Sequence, residues 1–193
     1  MATQNLYPNA AGDLTQFPTV EPSSINHFEA VDETSADDDT SYVQSGGDEL
    51  VTFFITIKEN STTTHSSTTI PTDESYANYT KQYTAKPSDS SAFTVTDINN
   101  LQIGVRYTGS DEPTDQTDLF NIQDWPNNSG DTINSITVTV RYKNSGSGAA
   151  APRMRLTQIF LTVDYTAFAE TTGPFKIKAG AKVKIESGKL TIK

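Results

Sequence analysis

His27 and His65 are the only imidazoles in the chain, and no cysteine accompanies them. Thiolate metal sites, thiol nucleophiles and disulfide staples are therefore excluded together. His65 lies in the polar run Ser61-Thr62-Thr63-Thr64-His65-Ser66-Ser67, with no acidic residue nearer than Glu59, and reads as a loop residue. His27 precedes Glu29 and Asp32. A metal site can be drawn from those three, but their spacing matches no ligand pattern such as two histidines four apart on a helix.

Asp37-Asp38-Asp39, with Asp32 and Glu33 close by, is a better place for a hard cation. Calcium takes about six to eight oxygens, and clustered carboxylates and carbonyls in sandwich loops can supply them. The run lacks the alternating order of an EF loop, so calcium stands beside a solvated acidic loop or a patch that meets the basic tail of another copy. Asp111, Glu112, Asp115 and Asp118 read as a second acidic loop of the same kind. Beyond calcium no cofactor is expected.

Trp125, the only tryptophan, can form an aromatic surface for glycans with Tyr76, Tyr79 and Tyr83. Beside the turn at Pro126 it also suits a hydrophobic plug, and the tyrosine spacing suits one face of a short helix. No nucleophile elbow, phosphate loop or dinucleotide fingerprint occurs. Paired carboxylates for glycoside hydrolysis have no motif behind them, so an enzyme is not expected. Asn60, Asn78 and Asn127 open glycosylation sequons, which matter only in a secreted chain. Met1-Ala-Thr-Gln-Asn has neither a basic flank nor an apolar core, so the expectation is a cytoplasmically made protein without a secretory leader.

The elements that must position these residues are strands. The chain has 193 residues, 34% hydrophobic and 20% charged, with a net charge of −10. One domain with an appendage suits that length. No run approaches the roughly 18 apolar residues of a membrane span, and nucleic acid is not the expected ligand of a chain this acidic, since phosphate binding rests on clustered Lys and Arg. Charge is graded along the chain: residues 1–57 carry −10, 58–173 carry −5 and 174–193 carry +5. Opposed ends of this kind can steer copies head to tail.

Residues 1–30 contain Pro8, Pro18 and Pro22 and no sustained periodicity, which predicts an extended arm. Thr40–Val43 is a short strand candidate. Alternating apolar and Thr-rich positions predict strands over Leu50–Ile57, Leu101–Tyr107 and Ile136–Tyr142. In Met154–Tyr165 the apolar phase slips by one between Leu156 and Ile159, which marks a bulge or bend. Residues 60–74, 86–91, 108–117, 126–132 and 144–151 read as connections. Thr96 is the best helix cap, opening one short turn. Antiparallel strands with polar turns give an all-β chain, a sandwich or jelly roll over 31–170.

Residues 171–193 differ in texture. Phe175, Ile177, Val183, Ile185, Leu190 and Ile192 alternate with lysines, broken at Gly180 and Gly188. Such short strands need a partner surface, because isolated strand pairs are marginal in water. We expect these six residues to form an assembly element used between subunits. The alternating lysines also guard an edge against uncontrolled aggregation.

Three stretches carry a resemblance. Asn5-Leu6-Tyr7-Pro8 with Asn26–Glu33 and Asp37–Val43, then Phe93–Val105, then Arg155–Tyr165 are similar to segments of virion proteins from tailed phages and environmental viral sequences. The resemblance implies a jelly-roll-like virion structural subunit of capsid-decoration, head-fibre or tail-associated type, located on the virion, with no enzymatic activity. Its implied partners are copies of itself and other virion proteins. The alternatives are a glycan-binding module directed at host surface glycans and a subunit of an extracellular filament. Nucleic acid and membrane are not among the expected partners.

Overall fold

The computed structural model describes residues 1–45, 52–68, 75–108, 116–145, 153–169, 183–186 and 189–192. The described chain is all-β with one short helix: two antiparallel sheets packed as a β-sandwich. Its strands are β1 (Ala2–Leu6), β2 (Pro8–Thr15), β3 (Thr19–Glu21), β4 (Tyr42–Gln44), β5 (Thr52–Glu59), β6 (Thr62–Thr68), β7 (Ala77–Tyr83), β8 (Leu101–Thr108), β9 (Gln116–Ile122), β10 (Thr132–Ser145) and β11 (Arg153–Thr166). A separate pair follows, β12 (Val183–Glu186) and β13 (Lys189–Ile192).

One sheet runs β3-β4-β11-β10-β7, with β1 also paired to β11. The other runs β2-β9-β8-β5-β6. The inward faces carry the alternating residues that mark these strands in the sequence. Ile136, Val138, Val140 and Tyr142 of β10 and Ile159, Leu161 and Val163 of β11 are buried in one core with Phe53, Ile55 and Ile57 of β5 and Ile103, Val105 and Tyr107 of β8. Period-two patterning thus hands each sheet one apolar face, and burying the two against each other drives the sandwich together.

The expected bulge in β11 is present. Arg141 opposes Gln158 but Tyr142 opposes Leu156, so Thr157 is the extra residue. It is fully buried. β1 and β4 divide the flank of β11 away from β10: Leu6 pairs with Leu161 and Val43 with Leu156. Between them Val31 O accepts a hydrogen bond from Ile159 N.

The first thirty residues are not a free arm. β1 belongs to one sheet and β2 to the other, and Leu6 and Phe17 lie in the core. Their ladder partners are more than a hundred residues away, which is why no local periodicity announces them. β6 and β7 depart from expectation in the same way. Residues read as a loop (His65) and as a helical face (Tyr79, Tyr83) are edge strands, one on each sheet, joined by Ser66 Oγ and Tyr83 OH at 2.9 Å. β9 takes up Gln116 and Thr117 from what reads as a connection. The helix α1 (Val95–Asn99) is capped by Thr94, two residues before the expected Thr96. Asp97 N donates to Thr94 Oγ1 at 3.1 Å and Thr94 N to Asp97 Oδ2 at 2.8 Å, a reciprocal capping box.

Candidate functional site

The acidic run Asp37–Asp39 is positioned by the turn that feeds β4, where Asp38 adopts a positive φ of 54°. A non-glycine residue holds that conformation only where its surroundings fix it. Arg141 supplies the fixation as a bidentate partner, its Nε 2.7 Å from Asp38 Oδ1 and its Nη2 2.9 Å from Oδ2. Asp39 bridges two further cations, Lys143 at 2.7 Å and Arg155 at 3.2 Å. Bonding to Lys143, then to Arg155, lowers the Asp39 pKa, and the bond to Asp38 raises that of Arg141.

These cations project from the outward face of β10 and its neighbour β11, alternate to the core residues of the same strands. Aromatic rings lie beneath them. Lys143 Nζ is 4.5 Å from the Tyr76 ring centroid, and the Arg155 guanidinium is 4.4 Å from that of Tyr42. Burial, reinforced by Asp39, raises the Tyr76 pKa. The cluster is an ion-pair clamp formed within one chain, in which Asp38 and Asp39 are paired in cis with Arg141, Lys143 and Arg155. Asp37 Oδ1 instead lies 3.3 Å from the Thr157 hydroxyl. Among the described residues, no three His, Asp or Glu side chains converge as metal ligands.

Beside the clamp, Glu33 is half-buried, and burial followed by the like charges of Asp37 and Asp32 pushes its pKa up to about 7. Burial also raises Asp32. Glu33 Oε2 is buried without a hydrogen-bond partner among the described residues, and the Glu33 amide and the Ser41 hydroxyl only partly offset the rise.

A second polar centre was not legible as such in the sequence. Asp118, grouped there with an acidic loop, lies on β9 opposite Val105 and faces inward, fully buried. Its Oδ1 accepts from Gln16 N at 2.6 Å and Phe17 N at 2.9 Å, and its Oδ2 lies 2.7 Å from His27 Nδ1. His27 is thereby separated from the ligand role drawn with Glu29 and Asp32, and Glu29 instead accepts from Asn26 N at 2.6 Å. Asp111, Glu112 and Asp115 lie outside the described residues. The chain after β2 is tied to the sheet through this carboxylate. Ahead of that tie, Gly12 presses on the outer face of β9, where a Cβ would sit 2.6 Å from the Leu119 carbonyl. Asp13 meets Lys58 and Gln102 on the same face.

The four aromatic residues expected for glycans do not share a surface. Trp125 is a buried plug: its Nε1 donates to Asp131 Oδ2 at 3.0 Å, and its ring meets Tyr165 edge-on at 4.8 Å. Tyr79 packs on Tyr142 at 4.4 Å, Tyr83 is buried, and Tyr76 lies in the clamp. Tyr165 and Tyr142 mark opposite ends of the β10–β11 ladder, so Trp125 and Tyr79 are a strand length apart.

In the tail, β12 and β13 pair antiparallel as a sheet of their own, with Val183 opposite Ile192 and Ile185 opposite Leu190. Phe175 and Ile177 lie outside the described residues. Comparison with protein-family models, curated proteins and solved structures finds no match to this chain.

The alternation along the strand marks Arg141 as facing outward, but nothing in the sequence marks Arg141, Lys143, Arg155 and Thr157 as partners of the acidic run. The signal the two β10 cations carry is that outward parity: Arg141 and Lys143 alternate with the core residues Val140 and Tyr142 on one strand.

Proposed function

We propose that this chain is a structural subunit that assembles with its own copies through its C-terminal β segment, as a virion surface protein of decoration, head-fibre or tail-associated type would. The observation that carries the reading is the β12–β13 pair. Its two four-residue strands form a sheet separate from the sandwich, and their apolar positions stand directly opposite one another. A two-stranded sheet of that size is marginal by itself in water and gains stability by adding to a partner surface.

The rest of the described molecule supports the same reading. Asp38 and Asp39 of the acidic run are paired with cations of the same chain, and the His27–Asp118 and Trp125–Asp131 pairs tie loops down. Edge strands β6 and β7 close one side of the sandwich, and main-chain groups along such edges are the usual acceptors of an added strand. If the added segment comes from the next copy, the contact is heterologous and yields a ring or a filament.

The test is removal of residues 174–193 followed by light scattering and negative-stain electron microscopy. The expected result is loss of the assembled species with the sandwich still folded by circular dichroism. An oligomer of unchanged mass would refute the role of the tail.

A further inference from the structure

The loop from Asp32 to Ser41 is docked on β11 at its bulge. Gln158 Nε2 donates to Glu33 O at 2.6 Å, and Ile159 N donates to Val31 O at 3.0 Å. The Thr157 hydroxyl lies 2.9 Å from Ser41 O and 3.1 Å from Asp38 O. From this docked position Asp38 and Asp39 reach Arg141, Lys143 and Arg155. Every one of these contacts depends on the loop lying flat against the strand.

Glu33 sits within this interface, and no cation among the described residues acts on it as Arg141, Lys143 and Arg155 act on Asp38 and Asp39. Its Oε2 is buried without a partner. The charges acting on it most strongly are the carboxylates of Asp37 and Asp32 on its own loop, and β11 presents the uncharged Gln158 and Thr157. The cations of the clamp are taken by Asp38 and Asp39. The Glu33 backbone amide and the Ser41 hydroxyl favour the carboxylate, but burial and the like charges of Asp37 and Asp32 outweigh them.

We propose that Glu33 is a protonation latch: as the neutral acid it lets the 32–41 loop dock on β11, and as the carboxylate it loosens the loop and with it the cover over Arg141, Lys143 and Arg155. The physical cause is the cost of burying an unpaired charge among like charges. Its upward shift to about 7 places the transition near neutrality.

The sign follows from linkage. The docked loop holds the proton more tightly than the released loop, so docking is strongest at acidic pH and weakens as pH rises from the ordinary glutamate range through about 7. Asp39, whose pKa is lowered by its cations, acts in the opposite direction and at lower pH. The two groups are therefore distinguishable.

Amide hydrogen exchange across residues 31–41, corrected for intrinsic rate and measured from pH 5 to 8 on the full chain, tests the latch. In the wild type, protection of the loop relative to the β10–β11 core falls by about tenfold or more, the partial solvation of Glu33 reducing the full linkage value. Glu33→Gln holds protection constant across the same range. Asp37→Asn, which removes a like charge and leaves Glu33 in place, moves the wild-type midpoint to lower pH. A flat wild-type profile, a fall that persists in Glu33→Gln, or a midpoint unmoved by Asp37→Asn would each overturn the proposal. Should Glu33→Gln not fold, the wild-type and Asp37→Asn profiles still decide it.

Discussion

Replacing Asp118 by alanine is the most informative single perturbation of the fold. The carboxylate is fully buried and serves three donors: the backbone amides of Gln16 and Phe17 and the ring of His27. Each hydrogen bond to a charged acceptor contributes about 1.5–3 kcal/mol. Breaking such a buried pair by removing one partner costs about 3–5 kcal/mol. Taking the middle of that range, Asp118→Ala should cost about 4 kcal/mol, or about 10 °C in Tm for a domain of this size. Asp118→Asn keeps an oxygen for the two amides and can turn its NH2 toward an unprotonated His27 Nδ1, so about half the loss is expected. Urea unfolding of the three proteins gives the energies, and hydrogen exchange locates them: excess exchange should concentrate in residues 2–21, the segment the carboxylate tethers. A loss below about 1 kcal/mol for Asp118→Ala, or equal losses for the two variants, would refute the argument.

Three further outcomes are expected. Gly104→Ala should be among the most damaging substitutions, at about 3 kcal/mol or more, because its Cβ would enter the Asp118 carbonyl on the adjoining strand and backbone cannot step aside; failure to accumulate folded protein, or a clear fall in urea midpoint, checks this. Trp125→Phe should cost about 1–2 kcal/mol through the lost bond to Asp131, which keeps its bond from Phe168 N at 2.8 Å; thermal unfolding monitored by circular dichroism measures it. Asp39→Asn should flatten the acid limb of the stability curve. The lowered pKa of Asp39 means its contribution is present above the usual carboxylate range and is lost as pH falls below about 4. Acid titration of both proteins by near-ultraviolet circular dichroism reads the difference, which high salt should shrink because the carboxylate is exposed.

The strands that form the core could be read because each carries its own evidence. Val138, Val140 and Tyr142 alternate with Thr137, Thr139 and Arg141, and that alternation is a local property of the chain. The bulge at Thr157 could be read for the same reason, as a slip in phase between Leu156 and Ile159. β1, β2 and β6 could not. Pro8-Asn9-Ala10-Ala11 and Thr62-Thr63-Thr64 have no apolar alternation, and they are strands because a neighbouring ladder offers their backbone groups partners. Edge strands of this kind owe their conformation to pairing more than to side-chain pattern.

The same division runs through the candidate sites. That the chain lacks cysteine, is acidic at one end and basic at the other, and carries alternating apolar residues near its C-terminus follows from residue order alone. Charge and periodicity are sums and spacings along a line. Where each charge goes was decided by the tertiary structure. Three aspartates that suit calcium on paper bind Arg141, Lys143 or Thr157, more than a hundred residues onward, and an aspartate assigned to a loop became the buried anchor of the N-terminal strands. A carboxylate takes whichever donor folding brings within about 3 Å, and only the packed sheets determine which donor that is.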